Sequence, residues 1–159
     1  MLFRSKSNNI YPNTLKGKKR PLYVKKVLVD LGWKDFQAAA MVGQFMQESY
    51  NDLRCNVWGD NHSAFGIAQW RGKRLADLEK FATGLNKPIG DLDTQARFVH
   101  WELTKGSEKN VGNRLKKTTN IDDALLVAIA YERPRGYTDA HPEKGDGFAN
   151  RCKYGKSLI

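Results

Sequence analysis

Glu48 is the residue whose type and position most clearly suggest chemistry. It stands at the end of an apolar stretch, directly after Phe45, Met46 and Gln47. Partial burial at such a position would disfavour the charged carboxylate, and the negative end of a helix dipole would disfavour it further. A carboxyl group that keeps its proton near neutral pH can protonate the leaving oxygen of a glycosidic bond. The alternative is a glutamate on the exposed side of a helix end, in contact with water.

A second group of residues with suitable chemistry runs from Ser63 to Trp70. Gly66 lets the backbone approach a ligand closely, and the amide of Gln69 can donate and accept hydrogen bonds with sugar substituents. Trp58 and Trp70 offer flat apolar faces of the kind on which pyranose rings stack. Each of these features has a structural alternative, since Trp70 could belong to the core and Gly66 to a turn.

The order of these residues along the chain resembles the lysozyme-like superfamily, and most closely the phage tail lysozyme family. The superfamily is marked by a Glu-Ser pair that ends a buried helix, a glycine-hydrophobic-small-glutamine segment, and an Ala-Tyr pair on a later helix. Here these marks are Glu48-Ser49, Gly66–Gln69 and Ala130-Tyr131. The phage family is further resembled by the segments Gly43–Ser49, Gly59–Asp60, Ser63–Trp70, Asp91–Gln95 and Tyr131–Pro134, which together cover about residues 35–155.

The resemblance implies both a function and site residues. The protein would degrade peptidoglycan by cleaving the β-1,4 bond between N-acetylmuramic acid and N-acetylglucosamine, with Glu48 as the general acid. Tyr131 would line the glycan cleft, with its hydroxyl close to Glu48. The residues expected to bind the glycan are Ser63, Phe65, Gly66, Gln69 and Tyr131.

Asp60 is the candidate for a second carboxylate, which would orient a water molecule or stabilise an oxocarbenium ion. Its position on the turn after Glu48 could place it across the cleft. An aspartate followed by Asn61 is, however, also typical of a turn. Many relatives in the superfamily work with one glutamate alone, so the resemblance does not require a role for Asp60.

Two other functions stay open from the sequence. A lytic transglycosylase would cut the same bond with the 6-hydroxyl of muramic acid and would leave anhydro-muramyl ends. A non-catalytic basic protein that binds the wall or the membrane would keep its activity after Glu48→Gln. A nucleic-acid function would rest on charge alone, because the aromatic residues alternate with apolar ones rather than with lysine and arginine. We expect no metal or cofactor, because His62, His100 and His141 are scattered along the chain.

The elements that position these residues are expected to be mostly helices. Apolar spacing predicts helices over residues 21–31, 36–50, 71–85, 93–104, 122–133 and 148–156. The second of these is apolar around nearly its whole circumference, which is typical of a helix at the centre of a domain. Turn-forming residues predict a loop or small hairpin over 51–64 and a surface loop over 135–147. The predicted fold is mainly α (α+β) and lysozyme-like, with helices around a buried central helix and a small β-hairpin or irregular lobe.

The charge of the chain is unevenly distributed. Lysine and arginine number 27 against 17 acidic residues, which gives a net charge of +10. Residues 1–20 carry no acidic residue and contain Arg4, Lys6, Lys16, Lys18, Lys19 and Arg20. We therefore predict a basic N-terminal tail over residues 1–20 and a single catalytic domain over residues 21–159. The tail could contact an anionic envelope or outer membrane, or could simply aid solubility.

No segment has the apolar run of a signal peptide or of a membrane-spanning helix. We therefore expect a monomer that is made in the host cytoplasm and acts on peptidoglycan in the periplasm or cell wall. It would arrive there after release, as a phage endolysin in host cell lysis, or it would be carried in the virion.

The two cysteines, Cys55 and Cys152, lie far apart in the sequence. In an oxidising compartment they could form a disulfide that ties the end of the chain to its middle. Two free thiols are the alternative.

Overall fold

The computed structural model describes residues 11–159. In this range the chain forms seven α-helices, three short strands and one 3₁₀ turn at Pro142–Lys144. The helices are α1 (Lys19–Asp30), α2 (Asp35–Glu48), α3 (Gly72–Gly84), α4 (Leu92–Thr104), α5 (Lys109–Lys116), α6 (Ile121–Glu132) and α7 (Phe148–Lys156). The strands are β1 (Trp58–Gly59), β2 (Ala64–Phe65) and β3 (Trp70–Arg71). The predicted mainly α fold with a small β lobe is confirmed.

Helix α2 is the centre of the fold. Every residue from Gln37 to Met46 is buried, as its apolar circumference requires, and the helix packs against α1, α6 and α7. The helix ends at Ser49, whose backbone N–H donates to the carbonyl of Phe45 at 2.8 Å. Glu48 is therefore the last helical residue, at the point where the central helix leaves the core.

Helix α7 crosses α2 at very short range because glycines lie at the crossing. A Cβ atom at Gly43 would lie only 2.7 Å from the carbonyl oxygen of Arg151 and from the backbone nitrogen of Gly155. A side chain at position 43 would therefore force the two helices apart. This close crossing brings Arg151 of α7 beside the last turn of α2.

The three strands form an antiparallel sheet in the order β1-β2-β3, with Trp58 paired to Phe65 and Phe65 to Trp70. The connection between β1 and β2 has left-handed backbone at Asp60, Asn61 and His62, with φ of 51°, 56° and 68°. The predicted hairpin is therefore present. The sheet extends beyond it, because residues 70–71 form a third strand where the apolar spacing predicted the start of a helix.

Helix α5 was not predicted from the sequence. Its eight residues are mostly polar, and only Val111, Gly112 and Leu115 are buried. Apolar spacing is too sparse over such a short segment to distinguish a helix from a loop. The following helix α6 begins with a side-chain cap, since Asn120 Oδ1 accepts a 2.9 Å hydrogen bond from the backbone N–H of Asp123.

Residues 11–20, the described part of the predicted basic tail, lie against the rest of the protein. The guanidinium of Arg20 donates to the carbonyls of Leu15 at 2.6 Å and Asp52 at 2.9 Å. Asn13 donates to the carbonyl of Gly90 at 2.9 Å and accepts from the backbone N–H of Leu92 at 2.8 Å. The basic residues Arg4 and Lys6 of that tail lie outside the described residues, and the boundary at residue 20 stays a prediction.

Both cysteines are free thiols, with Cys55 buried and Cys152 half-buried. Of the two alternatives left open by the sequence, the structure therefore has the reduced one. Burial raises the pKa of Cys55 to about 11. Within residues 11–159, none of the helices is both long and apolar enough to cross a bilayer.

Candidate active site

A cleft with Glu48 and Gln69 at its middle runs between the end of α2 and the β lobe. These two residues border a first cavity of about 570 Å³ and also a second cavity of about 460 Å³. The first cavity is further lined by Met46, Gln47, Ser49, Tyr50, Asn51, Val57, Trp58, Gly59 and Tyr154. The second is further lined by Trp70, Arg71, Arg74, Glu132, Arg133 and Pro134. A linear polymer that filled both cavities would pass directly over Glu48.

Glu48 is held by an ion pair that the sequence did not indicate. Its Oε2 atom accepts a 2.8 Å hydrogen bond from Arg151 Nη2, and 23% of its side chain is exposed. Arg151 is buried and is fixed by further hydrogen bonds to the carbonyl of Asp146 and the Oε1 atom of Gln44. The buried guanidinium of Arg151 therefore fixes the orientation of the Glu48 carboxyl group at the cleft.

Gln69 is fixed at the cleft by unusual backbone geometry. It has a left-handed φ of 54°, and its Nε2 atom donates to the carbonyl of Gly66 at 3.0 Å. A Cβ atom at Gly59 would collide with the Oε1 atom of Gln69. Because residue 59 is a glycine, there is space beside it for the side-chain amide of Gln69.

Three aromatic side chains, those of Tyr50, Trp58 and Tyr154, line the first cavity. Trp58 is 38% exposed, and its ring stacks on His62 with centroids 4.0 Å apart and an interplanar angle of 17°. Phe65 packs against the same indole from β2, at 4.8 Å between ring centroids. Together with the lining residues Tyr50 and Tyr154, Trp58 provides apolar surface on which a sugar ring can stack.

The second cavity is lined by guanidinium groups that are all paired with carboxylates. Arg74 forms a two-pronged contact with Glu102 at 2.8 and 2.9 Å. Arg133 contacts Glu108 in the same way, at 2.6 and 3.1 Å. These pairs hold α3, α4, α6 and the residues before α5 together, so the wall of this cavity is rigid.

Glu132 is the second carboxyl group of this cavity. Its Oε2 atom is buried and has no hydrogen-bond partner among residues 11–159. Burial raises the pKa of Glu132 well above its usual range, and the negative charge of Glu48 raises it further. Arg74 and Arg151 oppose this change without reversing it. These surroundings therefore favour the neutral, protonated form of Glu132.

Tyr131 lies behind the cleft wall rather than on its surface. Its side chain is fully buried, and its hydroxyl donates to Glu102 Oε1 at 2.5 Å and accepts from Trp70 Nε1 at 3.1 Å. Neither of the two cavities includes Tyr131 in its lining. Its hydroxyl is thus engaged with Glu102, whereas the sequence-based expectation placed it near Glu48.

Comparison with known protein families decides the family of the chain. The family model described as phage tail lysozyme matches residues 19–154. The chain belongs to the phage tail lysozyme family. No curated protein and no solved structure matches it significantly. Membership gives the protein a lysozyme-like, peptidoglycan-degrading role, of the glycoside hydrolase or muramidase type, with peptidoglycan as its substrate.

In this member of the phage tail lysozyme family, some of the predicted site residues lie together and others lie apart. Glu48 and Gln69 lie together in the cleft. Phe65 and Gly66 are buried beneath it, and Ser63 is exposed, with its hydroxyl donating to the carbonyl of Asp60 at 2.6 Å. Ser63, Phe65 and Gly66 therefore shape the β lobe, and none of them lines either described cavity.

Asp60 lies on the exposed tip of the β lobe. Its Oδ2 atom forms an ion pair with Arg71 at 2.5 Å, and both side chains are 58% exposed. Asp60 does not line either of the two described cavities. Its side chain thus fits the alternative interpretation of a turn residue, and its assignment as a second carboxylate stays a prediction.

Sequence reasoning missed Glu132, Arg151 and the buried Glu102. Glu132 follows Tyr131 directly in a segment that was recognised, so its acidic type after an apolar helix was an available signal. Arg151 and Glu102 gave none, because their importance depends on contacts with residues far away in the sequence. In the described part of the chain, His, Cys, Asp and Glu form no group of three that could hold a metal ion.

Proposed function

We propose that the protein is a muramidase that cleaves the β-1,4 bond between N-acetylmuramic acid and N-acetylglucosamine, with Glu48 as the general acid. The observation that carries the proposal is the position of Glu48 at the junction of the two cavities. A glycan strand in the cleft would present one glycosidic oxygen to this carboxyl group, with sugars bound on both sides.

In this mechanism Glu48 gives its proton to the leaving oxygen as the glycosidic bond breaks. The carboxylate that forms is stabilised by Arg151, which is already in place at 2.8 Å. Gln69 contributes amide hydrogen bonds to the sugar beside the bond, and Trp58 contributes a stacking face. Because Arg151 and Gln69 are fixed by the fold, little reorganisation is needed when charge develops.

The proposal is tested by digesting purified peptidoglycan with the wild-type protein and with Glu48→Gln. We expect Glu48→Gln to lower the rate of glycan release by at least ~100-fold, since a missing general acid costs on the order of 10²–10⁴ in rate. Glu79→Gln is the matched control, because Glu79 is exposed on α3 away from the cleft and the charge change is the same. Equal release by wild type and Glu48→Gln would remove Glu48 from this role.

Lytic transglycosylation is the second candidate, because it needs one carboxyl group and no water. It is favoured by the composition of the cleft, where Glu48 and Glu132 are the acidic residues that line the two cavities and Asp60 lies outside them. Mass spectrometry of the released glycans separates the two reactions. Hydrolysis leaves reducing ends, and transglycosylation leaves anhydro-muramyl ends.

We further propose that the protein serves a phage, either as an endolysin or as a component of the virion, and that the basic residues near its N-terminus favour approach to an anionic envelope. The support is the family membership and the net charge of +10. Immunoblotting of purified virions and of infected-cell lysates with an antibody to the protein distinguishes these two sites of action. Absence of the protein from both fractions would contradict the proposal.

A further inference from the structure

Glu132 is a half-buried acid in the cleft for which the proposed reaction has no role so far. It is the last residue of α6, and it lines the second cavity together with Glu48. Its Oε2 atom is buried, and no donor among the described residues reaches it. A buried carboxyl oxygen without a partner is costly to a fold, so such a group in a substrate cleft points to a ligand that supplies the missing contact.

The charged groups around Glu132 are committed to other partners. Arg74 of α3 forms its two-pronged contact with Glu102 of α4. Arg151 of α7 is bound to Glu48 of α2. Arg133, the next residue in the chain, is bound to Glu108. These nearby guanidinium groups are therefore each satisfied by another carboxylate, while Glu48 and Glu102 add like charge. The C-terminal end of α6 also disfavours a negative charge at this position.

A carboxyl group that keeps its proton at neutral pH cannot act as a general base or as a nucleophile, because both roles need the ionised form. It can act as a strong hydrogen-bond donor. The acceptors that a glycan strand offers are hydroxyl, ring and N-acetyl carbonyl oxygens.

We propose that Glu132 binds the glycan, with its carboxyl group donating a hydrogen bond to a sugar oxygen in the second cavity beside the bond that Glu48 cleaves. This inference rests on the proposed function, because it takes a glycan as the occupant of the cleft. It makes Glu132 a substrate-positioning residue and leaves proton donation to the leaving group with Glu48.

Binding of the glycan by Glu132 should make KM depend on pH. Ionisation of Glu132 at alkaline pH removes the donor from the second cavity. The apparent KM of the wild type should therefore rise as the pH rises through the titration of Glu132, whereas kcat reports on proton donation by Glu48. A glutamine at position 132 keeps an N–H donor at every pH and cannot ionise, so it should weaken this alkaline rise in KM.

The test measures kcat and apparent KM on solubilised peptidoglycan glycan from pH 5 to about 10 for wild type, Glu132→Gln and Glu132→Ala. We expect Glu132→Ala to raise KM about 5- to 50-fold, because the variant loses a hydrogen bond and leaves a sugar oxygen unpaired. The apparent KM of Glu132→Gln should stay within about threefold of the wild-type KM at neutral pH and lie below it at alkaline pH, since an amide donor replaces the carboxyl donor. Glu79→Gln should follow the wild-type profile.

Three outcomes would overturn the inference. Loss of activity in Glu132→Gln as complete as in Glu48→Gln would show that Glu132 must transfer a proton. Wild-type kinetics in Glu132→Ala would show that it does not touch the substrate. If Glu132→Ala does not fold, ¹³C NMR of the wild-type Glu132 carboxyl decides, because titration near the ordinary value of 4.5 would contradict a protonated group. If the wild-type protein released no glycan, that result would instead contradict the proposed function itself.

Discussion

At the scale of single residues, the carboxyl groups of the cleft and of the β lobe have very different surroundings. Glu48 is held by a buried guanidinium, Glu132 is half-buried with an Oε2 atom that has no partner among the described residues, and Asp60 is bound to Arg71 in water. An exposed ion pair contributes little, typically about 0–1 kcal/mol, because solvent screens both charges. The environment of a carboxyl group, more than its place in a motif, therefore decides what chemistry it can do.

Asp60→Asn tests whether Asp60 takes part in catalysis. We expect the variant to keep its rate of peptidoglycan cleavage within about threefold of wild type, because an exposed ion pair contributes about 0–1 kcal/mol. Initial rates of turbidity loss in a suspension of purified cell walls provide the measurement. A decrease comparable to that of Glu48→Gln would restore Asp60 as the second carboxylate.

At the scale of secondary-structure elements, one buried polar network joins the wall of the second cavity. Glu102 of α4 accepts from Arg74 of α3, from Tyr131 of α6 and from Trp70 of β3. Its carboxylate is fully buried, so each of these donors compensates part of its desolvation. The network fixes the distance between α6, which carries Glu132, and the strand that follows Gln69.

Tyr131→Phe removes one donor from this network and leaves the ring in place. We expect a loss of about 1–3 kcal/mol in the free energy of unfolding, because the buried Glu102 loses a hydrogen bond. Tyr137→Phe is the matched control, since the hydroxyl of Tyr137 bonds to the exposed Asp139, and it should cost less than about 1 kcal/mol. Urea unfolding of both variants measures the difference. Equal stability of the two would show that the Tyr131 hydroxyl is not part of a stabilising network.

Local sequence patterns explain how much of the fold was predictable. The apolar circumference of α2 is a local signal, and the buried central position that it predicts is confirmed. Helix α5 has too few apolar residues for a period to emerge, and β3 is only two residues long. The ion pair between Arg151 and Glu48 joins residues 103 positions apart, so it depends on how α7 packs against α2. Glu48 could thus be proposed from the sequence, while its electrostatic partners could not.

At the scale of the whole molecule, the described fold is held together without a covalent cross-link. Both thiols are free, although the chain carries two cysteines in regions that pack into the core. The stability of the protein should therefore not depend on the redox state of its surroundings.

Modification of the thiols tests whether the stability of the protein is independent of redox conditions. We expect the native protein at pH 8 to leave Cys55 unmodified by a thiol reagent, because burial raises its pKa to about 11 and shields it. The unfolded protein should react at both cysteines. The thermal unfolding midpoint should be the same with and without a reducing agent, and a lower midpoint under reducing conditions would indicate a disulfide.

The contact between Gly59 and Gln69 limits how members of this family can diverge. A side chain at position 59 would occupy the space that the amide of Gln69 fills. A larger residue there would push the flexible end of Gln69 away from the Gly66 carbonyl, so a protein that keeps the amide in this position is expected to keep the glycine as well. Positions 59 and 69 should therefore change together during evolution, and a relative with a larger residue at position 59 should also have a different residue in place of the glutamine at the centre of its cleft.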